Sequence, residues 1–268
     1  MVAVVTGASA GIGLAFAEVM AREGKDVVLI ARRAERLAEI ASRLADRFAI
    51  SAYALPLDLS DRGFSPHITG FLADHGLTTE ILVNNAGFGL PGLYQDSAYE
   101  VHESYQDLML GSVAELTHAL LPQLCERRGI VINVASVVGL LPGTAGNTLY
   151  AATKSWMIAF SESLGAEYEN QGLRVCSVCP GLTYSEFHDV NGSRERVSKL
   201  PKILWMSAAE VADSGYRAAQ RGRRVHVTGV INKLIVTLAW ILPRPLIYSL
   251  ARRAGGRFGR VDLRGKSR

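Results

Sequence analysis

Tyr150 and Lys154 stand four residues apart in Tyr150-Ala151-Ala152-Thr153-Lys154, with Ser136 fourteen residues upstream. Side chains at i and i+4 share one face of a helix. A phenol is a poor base at neutral pH, since its ordinary pKa is about 10. A lysine cation beside it favours the phenolate and brings it toward the working range. Such a pair suits moving a proton on or off a hydroxyl or carbonyl oxygen. The same spacing also occurs as a solvated pair on exposed helices, so its meaning rests on what surrounds it.

The surroundings alternate between apolar strand-like runs and helical patterns. The sequence predicts strands at Val2–Thr6, Asp26–Ile30, Ser51–Leu55, Ile81–Asn84, Gly129–Ala135, Leu173–Val178 and Arg224–Val227. Between them it predicts helices at Ile12–Glu23, Arg33–Phe48, Asp61–His75, Val101–Glu126, Leu149–Asn170 and Ala208–Arg221. Near-continuous apolar strands separated by helices mean a parallel sheet covered on both faces. The expected fold is therefore α/β, a doubly wound sheet of about seven strands. Residues 1–228 form the expected catalytic domain and 229–268 a C-terminal helical, basic extension of it.

Thr6-Gly7-Ala8-Ser9-Ala10-Gly11-Ile12-Gly13 joins the first strand to the first helix. Glycines there allow a tight turn and close approach of a pyrophosphate to the helix N-terminus. The second strand ends in Leu29-Ile30-Ala31-Arg32-Arg33, where a NAD site would carry an acid for the ribose hydroxyl. Two arginines in its place suit a 2′-phosphate, and so NADP(H); starting a solvated helix is their other reading. Asp58 and Leu59 follow the third strand, Asp58 as an acceptor for the adenine amino group or as a helix cap. Asn85, Ala86 and Gly87 follow the fourth, where small residues let the chain pass close to a flat ligand.

The 268 residues, 49% hydrophobic, suffice for a sizeable core. The net charge of +4 is unevenly spread. Eight Lys and Arg against one acid, Asp262, lie from Arg244 onward, which leaves the body slightly acidic and gives no nucleic-acid footprint across the fold. Three cysteines fit a reducing compartment, and the expected location is cytoplasmic. Cys176 and Cys179 sit three apart on a predicted strand and therefore face opposite sides, as buried thiols rather than a metal pair. No metal site is expected. Glycines begin at Gly7, leaving no room for a signal-peptide apolar region, and the run Leu234–Leu242 is too short to span a bilayer.

Taken together these motifs resemble the short-chain dehydrogenase/reductase family in its single-domain form. The matching pieces are Thr6–Gly13, Asp58-Leu59, Asn84-Asn85-Ala86-Gly87, Ser136, Tyr150 with Lys154, and Cys179-Pro180-Gly181-Leu182-Thr183, in order across about residues 2–228. The second half is similar to broadly distributed bacterial reductases, and to 3-oxoacyl and hydroxysteroid reductases. The resemblance implies Tyr150 as acid/base, Lys154 as its partner and a ligand of the nicotinamide ribose, and Ser136 as donor to the substrate oxygen. It implies that Gly7, Ser9, Gly11, Ile12, Gly13, Arg32, Arg33, Asp58, Leu59, Asn85, Ala86, Gly87, Pro180, Gly181, Leu182 and Thr183 line the cofactor. It also implies a small-molecule carbonyl/alcohol substrate and a two-fold helix-bundle interface, giving a homodimer or homotetramer. Leu116, Leu120, Met157 and Phe160 are candidates for that interface; burial within the subunit is the alternative.

One position departs from the family pattern. Met109 stands where an Asn usually orients a water toward the lysine, and a thioether does not do that work. Asp107 and Ser112 are the neighbours that could replace it. The alternative function is accordingly a nucleotide-binding regulatory protein with little turnover. The loop Tyr184–Trp205, with Phe187, His188, Leu200 and Trp205, suggests a partly apolar substrate. The apolar run 230–242 either packs over the cleft or another subunit, or makes peripheral membrane contact aided by the arginines that follow; in the third reading the tail is simply solvated.

Overall fold

Residues 1–186 and 201–249 are described by a computed structural model. Phe187, His188, Leu200 and the run 250–268 lie outside them. The chain alternates β1 (Val2–Thr6), α1 (Gly11–Arg22), β2 (Asp26–Ala31), α2 (Ala34–Phe48), β3 (Ala52–Pro56), α3 (Ser65–Asp74) and β4 (Thr79–Asn84). It continues through α4 (Tyr99–Gln106), α5 (Ser112–Glu126), β5 (Ile130–Val134), α6 (Thr148–Glu167), β6 (Arg174–Cys179), β7 (Leu182–Tyr184), β8 (Trp205–Ser207), α7 (Ala208–Gln220), β9 (Val225–Val227) and α8 (Val230–Ile241).

Seven strands form one parallel sheet in the order β3-β2-β1-β4-β5-β6-β9. The period of two along each strand divides its residues between two cores. Ala3, Val5, Val27, Leu29, Ile81, Val83, Ile132 and Val178 face α1, α2 and α7. Val4, Val28, Ile30, Leu82, Val131 and Val175 face α3, α5 and α6. Burying each Val, Leu or Ile contributes about 1.5–3 kcal/mol, so both faces specify the register. The order reverses direction between β1 and β4, and a cleft opens at the C-terminal ends of strands at such a point. Cys176 and Cys179 fall on opposite faces, both fully buried, and burial pushes their thiols up to about 12 and about 11.

Three local features differ from the sequence reading. The third helix starts at Ser65, not Asp61, because Gly63 at φ +76° turns the chain and Pro66 fits the first helical turn. The long helix expected at Val101–Glu126 is interrupted by a π-helical turn at Asp107–Gly111. The segment after β6 is not simply a loop: β7 and β8 pair in parallel as a separate two-stranded ribbon.

Candidate active site

The glycine turn is locked by what it touches. Gly7 adopts φ +63°, and a Cβ there would lie 2.7 Å from Asn85 Nδ2. A Cβ on Gly13 would lie 2.3 Å from the Gly7 carbonyl oxygen. Thr6 Oγ1 donates to the Val83 carbonyl and accepts from the Asn85 and Ala86 amides at 2.9 and 3.0 Å. Asn85 Nδ2 donates back to the Thr6 carbonyl at 3.1 Å. The turn and the loop after β4 are thus one stitched unit, which leads α1 away with its N-terminal amides facing the cleft.

The arginines at the end of β2 take separate partners. Arg33 donates to Ser9 Oγ at 3.0 and 3.2 Å and reaches Glu186 at 3.1 Å. Arg36, one turn further, donates to the same carboxylate at 2.7 Å. Arg36 was not singled out from the sequence, although its i+3 spacing from Arg33 is the signal that would have found it. Arg32 is mostly exposed and pairs with Asp58 at 3.6 Å. The Asp58 carboxylate also accepts from the Ser60 amide and hydroxyl at 3.0 and 2.7 Å. Partial burial pushes that carboxyl up, but Ser60 and Arg32 outweigh it and hold it below its usual range. Asp58 therefore shapes a turn before α3 and does not cap that helix, whose N-cap is Phe64.

Ser136, Tyr150 and Lys154 converge. Ser136 ends β5 and caps the 3₁₀ turn Val137–Leu140, its Oγ accepting from the Val138 amide at 3.3 Å and donating to the Pro180 carbonyl at 3.4 Å. The Tyr150 hydroxyl is hydrogen-bonded to Ser136. Lys154 Nζ lies 5.8 Å from the Tyr150 ring centre and donates to the Val134 carbonyl at 2.7 Å. Burial lowers the Lys154 ammonium to about 8. Burial also pushes the Tyr150 phenol up, the Ser136 hydrogen bond offsetting part of the rise. Burial and Ser136 set the direction of the shift, and Tyr150 holds its proton at neutral pH. Pro180 and Gly181 pass beside this group. Thr183 is buried and donates to the Gly181 carbonyl at 3.1 Å, and Leu182 enters the ribbon.

Residues 1–196 match the family model described as short chain dehydrogenase. Serine 3-dehydrogenase of Agrobacterium fabrum is 31% identical over 230 residues, 84% of this chain and 90% of its own. Very-long-chain 3-oxoacyl-CoA reductase-A of Danio rerio is 30% identical over 263 residues, 94% and 79% of the two chains. A solved short-chain dehydrogenase from Sphingobium yanoikuyae in complex with NADPH is 29% identical, with a TM-score of 0.79, covering 100% of this chain and 97% of that one. The chain belongs to the short-chain dehydrogenase/reductase family.

That membership makes it an oxidoreductase, and several further residues hold its reacting groups in place. A Cβ on Gly139 would lie 2.6 Å from the Lys154 carbonyl carbon, so glycine lets the Ser136 turn sit directly on α6. Ser155 Oγ donates to the Gly139 carbonyl at 2.8 Å and ties the same contact. Beneath the site, Asn84 Nδ2 donates to Asn133 Oδ1 at 2.8 Å, and Asn133 Nδ2 to Ser161 Oγ at 2.9 Å. This buried chain crosses β4, β5 and α6. Its sequence signal was the pair of asparagines inside otherwise apolar strands. Tyr105 is fully buried, with its hydroxyl 3.3 Å from Thr153 Oγ1, which donates to the Tyr150 carbonyl at 3.1 Å.

Met109 stands where the family resemblance implies an Asn. It lies in the π-helical turn, 1% exposed, with its Sδ 2.5 Å from where a Cβ on Gly87 would stand. Neither neighbour named from the sequence takes its place. Asp107 accepts from Arg62 at 3.0 and 3.2 Å, and Ser112 Oγ donates to the Leu108 carbonyl at 2.6 Å.

Proposed function

We propose that this chain is an NADP(H)-dependent reductase or dehydrogenase acting on a carbonyl/alcohol pair with a partly apolar substrate. The observation that carries the reading is the Ser136–Tyr150 hydrogen bond, with Lys154 beside it, at the C-terminal end of the parallel sheet. The cofactor fits the residues present. Glycines at 7, 11 and 13 let the turn pack against Asn85, Ala86, Ser185 and the Gly7 carbonyl, where a Cβ would clash, and α1 starts from that tight turn with its N-terminus available to a pyrophosphate. Arg32, Arg33 and Arg36 supply guanidinium groups for a 2′-phosphate, and Glu186 is the anion that Arg33 and Arg36 now hold in its stead. Asp58, Leu59, Asn85, Ala86 and Gly87 would line the adenine and ribose side, and Pro180, Gly181, Leu182 and Thr183 the nicotinamide side. The similar dehydrogenase from Sphingobium yanoikuyae was solved with NADPH, which supports the same cofactor here.

When bound, the nicotinamide exchanges hydride with the substrate carbon. The protein does the rest. Ser136 Oγ donates to the substrate oxygen as charge develops there. Tyr150, protonated at neutral pH, delivers its proton to that oxygen in reduction and receives one from the hydroxyl in oxidation. The Lys154 ammonium stabilises the phenolate left behind.

The apolar character of the substrate is supported by Tyr184 and Trp205 on the ribbon, which stack with ring centres 4.8 Å apart, and by the 3-oxoacyl-CoA reductase among the similar proteins. A homodimer or homotetramer remains part of the reading, on a changed basis. Leu116, Leu120 and Met157 are buried inside the subunit, so they leave no interface face. Half-buried Trp156 and Phe160, stacked at 4.9 Å on α6, now support it.

Met109 supports the second reading, a nucleotide-binding protein with little turnover. Titration with NADPH and NADH, followed by a carbonyl panel, separates the two. Tighter NADPH binding with turnover supports the enzyme. Binding without turnover, restored by Met109→Asn, supports the regulator. Equal affinity for both cofactors removes the NADP assignment.

A further inference from the structure

The helix α8 is mounted with its apolar surface outward. Val230, Leu234, Leu238 and Ile241 follow at spacings of four, four and three, one stripe along a helix. They are 82%, 57%, 46% and 74% exposed. Trp240 at 73% flanks them, and Leu246 and Tyr248 are exposed just beyond. The inward face is thinner and partly polar: Val236 and Asn232 are buried, and Asn232 Nδ2 donates to the Thr228 carbonyl at 2.8 Å. Asn232 also lies against Gly181, where a Cβ would meet its amide at 2.5 Å. A helix that only covered the core would carry its apolar stripe on the other side.

Three observations name the occupant. Lys233 and Arg244 are exposed beside the stripe. Seven Lys and Arg against Asp262 follow in residues 250–268, whereas the chain before Arg244 is slightly acidic. No helix among the described residues is long and apolar enough to cross a membrane. We propose that α8 docks this protein on an anionic lipid surface, lying in the plane of the interface, with Lys233, Arg244 and the net positive charge of the sequence that follows favouring anionic lipid. The apolar stripe enters the headgroup–acyl boundary, Trp240 sits at its edge, and the cations meet the lipid charge. Neither signal anchors well alone; together they make a stable attachment. A second copy of this chain would offer the same positive composition after Arg244, not the opposite charge that it suits. The docking stands independently of the cofactor assignment. Its consequence rests on the proposed reaction: with α8 against Gly181, the site lies beside the lipid, where an apolar carbonyl substrate would be dissolved.

The test is co-sedimentation of the full chain with vesicles of phosphatidylcholine, with and without phosphatidylglycerol, at low and high salt. Binding should require phosphatidylglycerol, weaken with salt, and fall about a hundredfold in Leu234→Gln/Leu238→Gln, since each leucine contributes about tenfold. NADPH affinity of that double variant, whose substitutions fall at two exposed positions, reports that it is folded. No binding to either vesicle overturns the proposal. So does binding that the folded double variant retains. If instead the double substitution converts a dimer into a monomer in sedimentation velocity and leaves vesicle binding untouched, the stripe belongs to a second copy and the proposal falls.

Discussion

The two ends of this chain solve opposite problems. At the cleft, the main polar side chains are held by the protein: Thr6 by three partners, Asn133 by two, and Lys154 by the Val134 carbonyl. At α8, Leu234, Leu238 and Trp240 point away from the protein. The first region is arranged so that reacting groups keep their positions without outside help. The second is a helix seated on the body through Asn232 and Val236 with its apolar stripe exposed. A site that must be rigid and a surface that must find a partner are therefore built with reversed polarity.

Substitutions that test this contrast range widely in effect. Leu82→Ala, on β4 between two layers, should cost about 2–5 kcal/mol in chemical denaturation; Leu234→Gln on α8 should change stability by less than about 0.5 kcal/mol. A large loss at Leu234 would mean that the outward stripe is buried. Asn133→Ala removes one partner each from Asn84, which keeps Thr117, and Ser161, which keeps the Met157 carbonyl, and should cost about 1 kcal/mol. Gly139→Ala forces the Ser136 turn off α6. It should lower kcat more than it raises the KM for NADPH, and an unchanged kcat would show that the spacing is not critical.

Smaller effects are expected at the exposed arginines. Arg33→Ala removes charge-assisted bonds worth about 1.5–3 kcal/mol each, so NADPH should weaken roughly tenfold to a hundredfold while NADH is unaffected. Glu186→Gln frees Arg33 and Arg36 and should tighten NADPH about two- to fivefold, in line with an exposed ion pair. Equal shifts for both cofactors would place these residues away from the 2′-phosphate. The pH profile is a further probe. Lys154 is cationic below about 8 and loses its charge above it. The kcat/KM for carbonyl reduction should therefore hold at neutral pH and fall as pH rises past that point. A profile that stays flat across the alkaline range would remove Lys154 from phenolate stabilisation.

The fold was legible because strand patterning and glycine spacing are local signals: the apolar runs give the sheet, and Gly7, Gly11 and Gly13 mark the turn. Ser136, Tyr150 and Lys154 were legible for the same reason, two of them on one helical face. What escaped was set by packing across distance. The partnership of Arg36 with Glu186 spans 150 residues. The β7–β8 ribbon pairs segments on either side of an intervening run. The π-helical turn at Asp107–Gly111 interrupts an otherwise helical pattern, and periodicity does not encode it. Spacing shows the lysine beside the Tyr150 phenol and hides the burial that pushes the phenol up. Leu116, Leu120 and Met157 were apolar on a helix, and nothing local says whether such a face turns to its own core or to a copy.

The central claim is that Tyr150 transfers the proton in a carbonyl/alcohol reaction. Tyr150→Phe removes one oxygen and keeps the ring. The measurement is NADPH oxidation by purified wild type and variant with the best substrate from a carbonyl panel, alongside NADPH affinity for each. A loss of about 10²–10⁴-fold in kcat is expected, with NADPH binding retained. A variant that binds NADPH and keeps full kcat would contradict it.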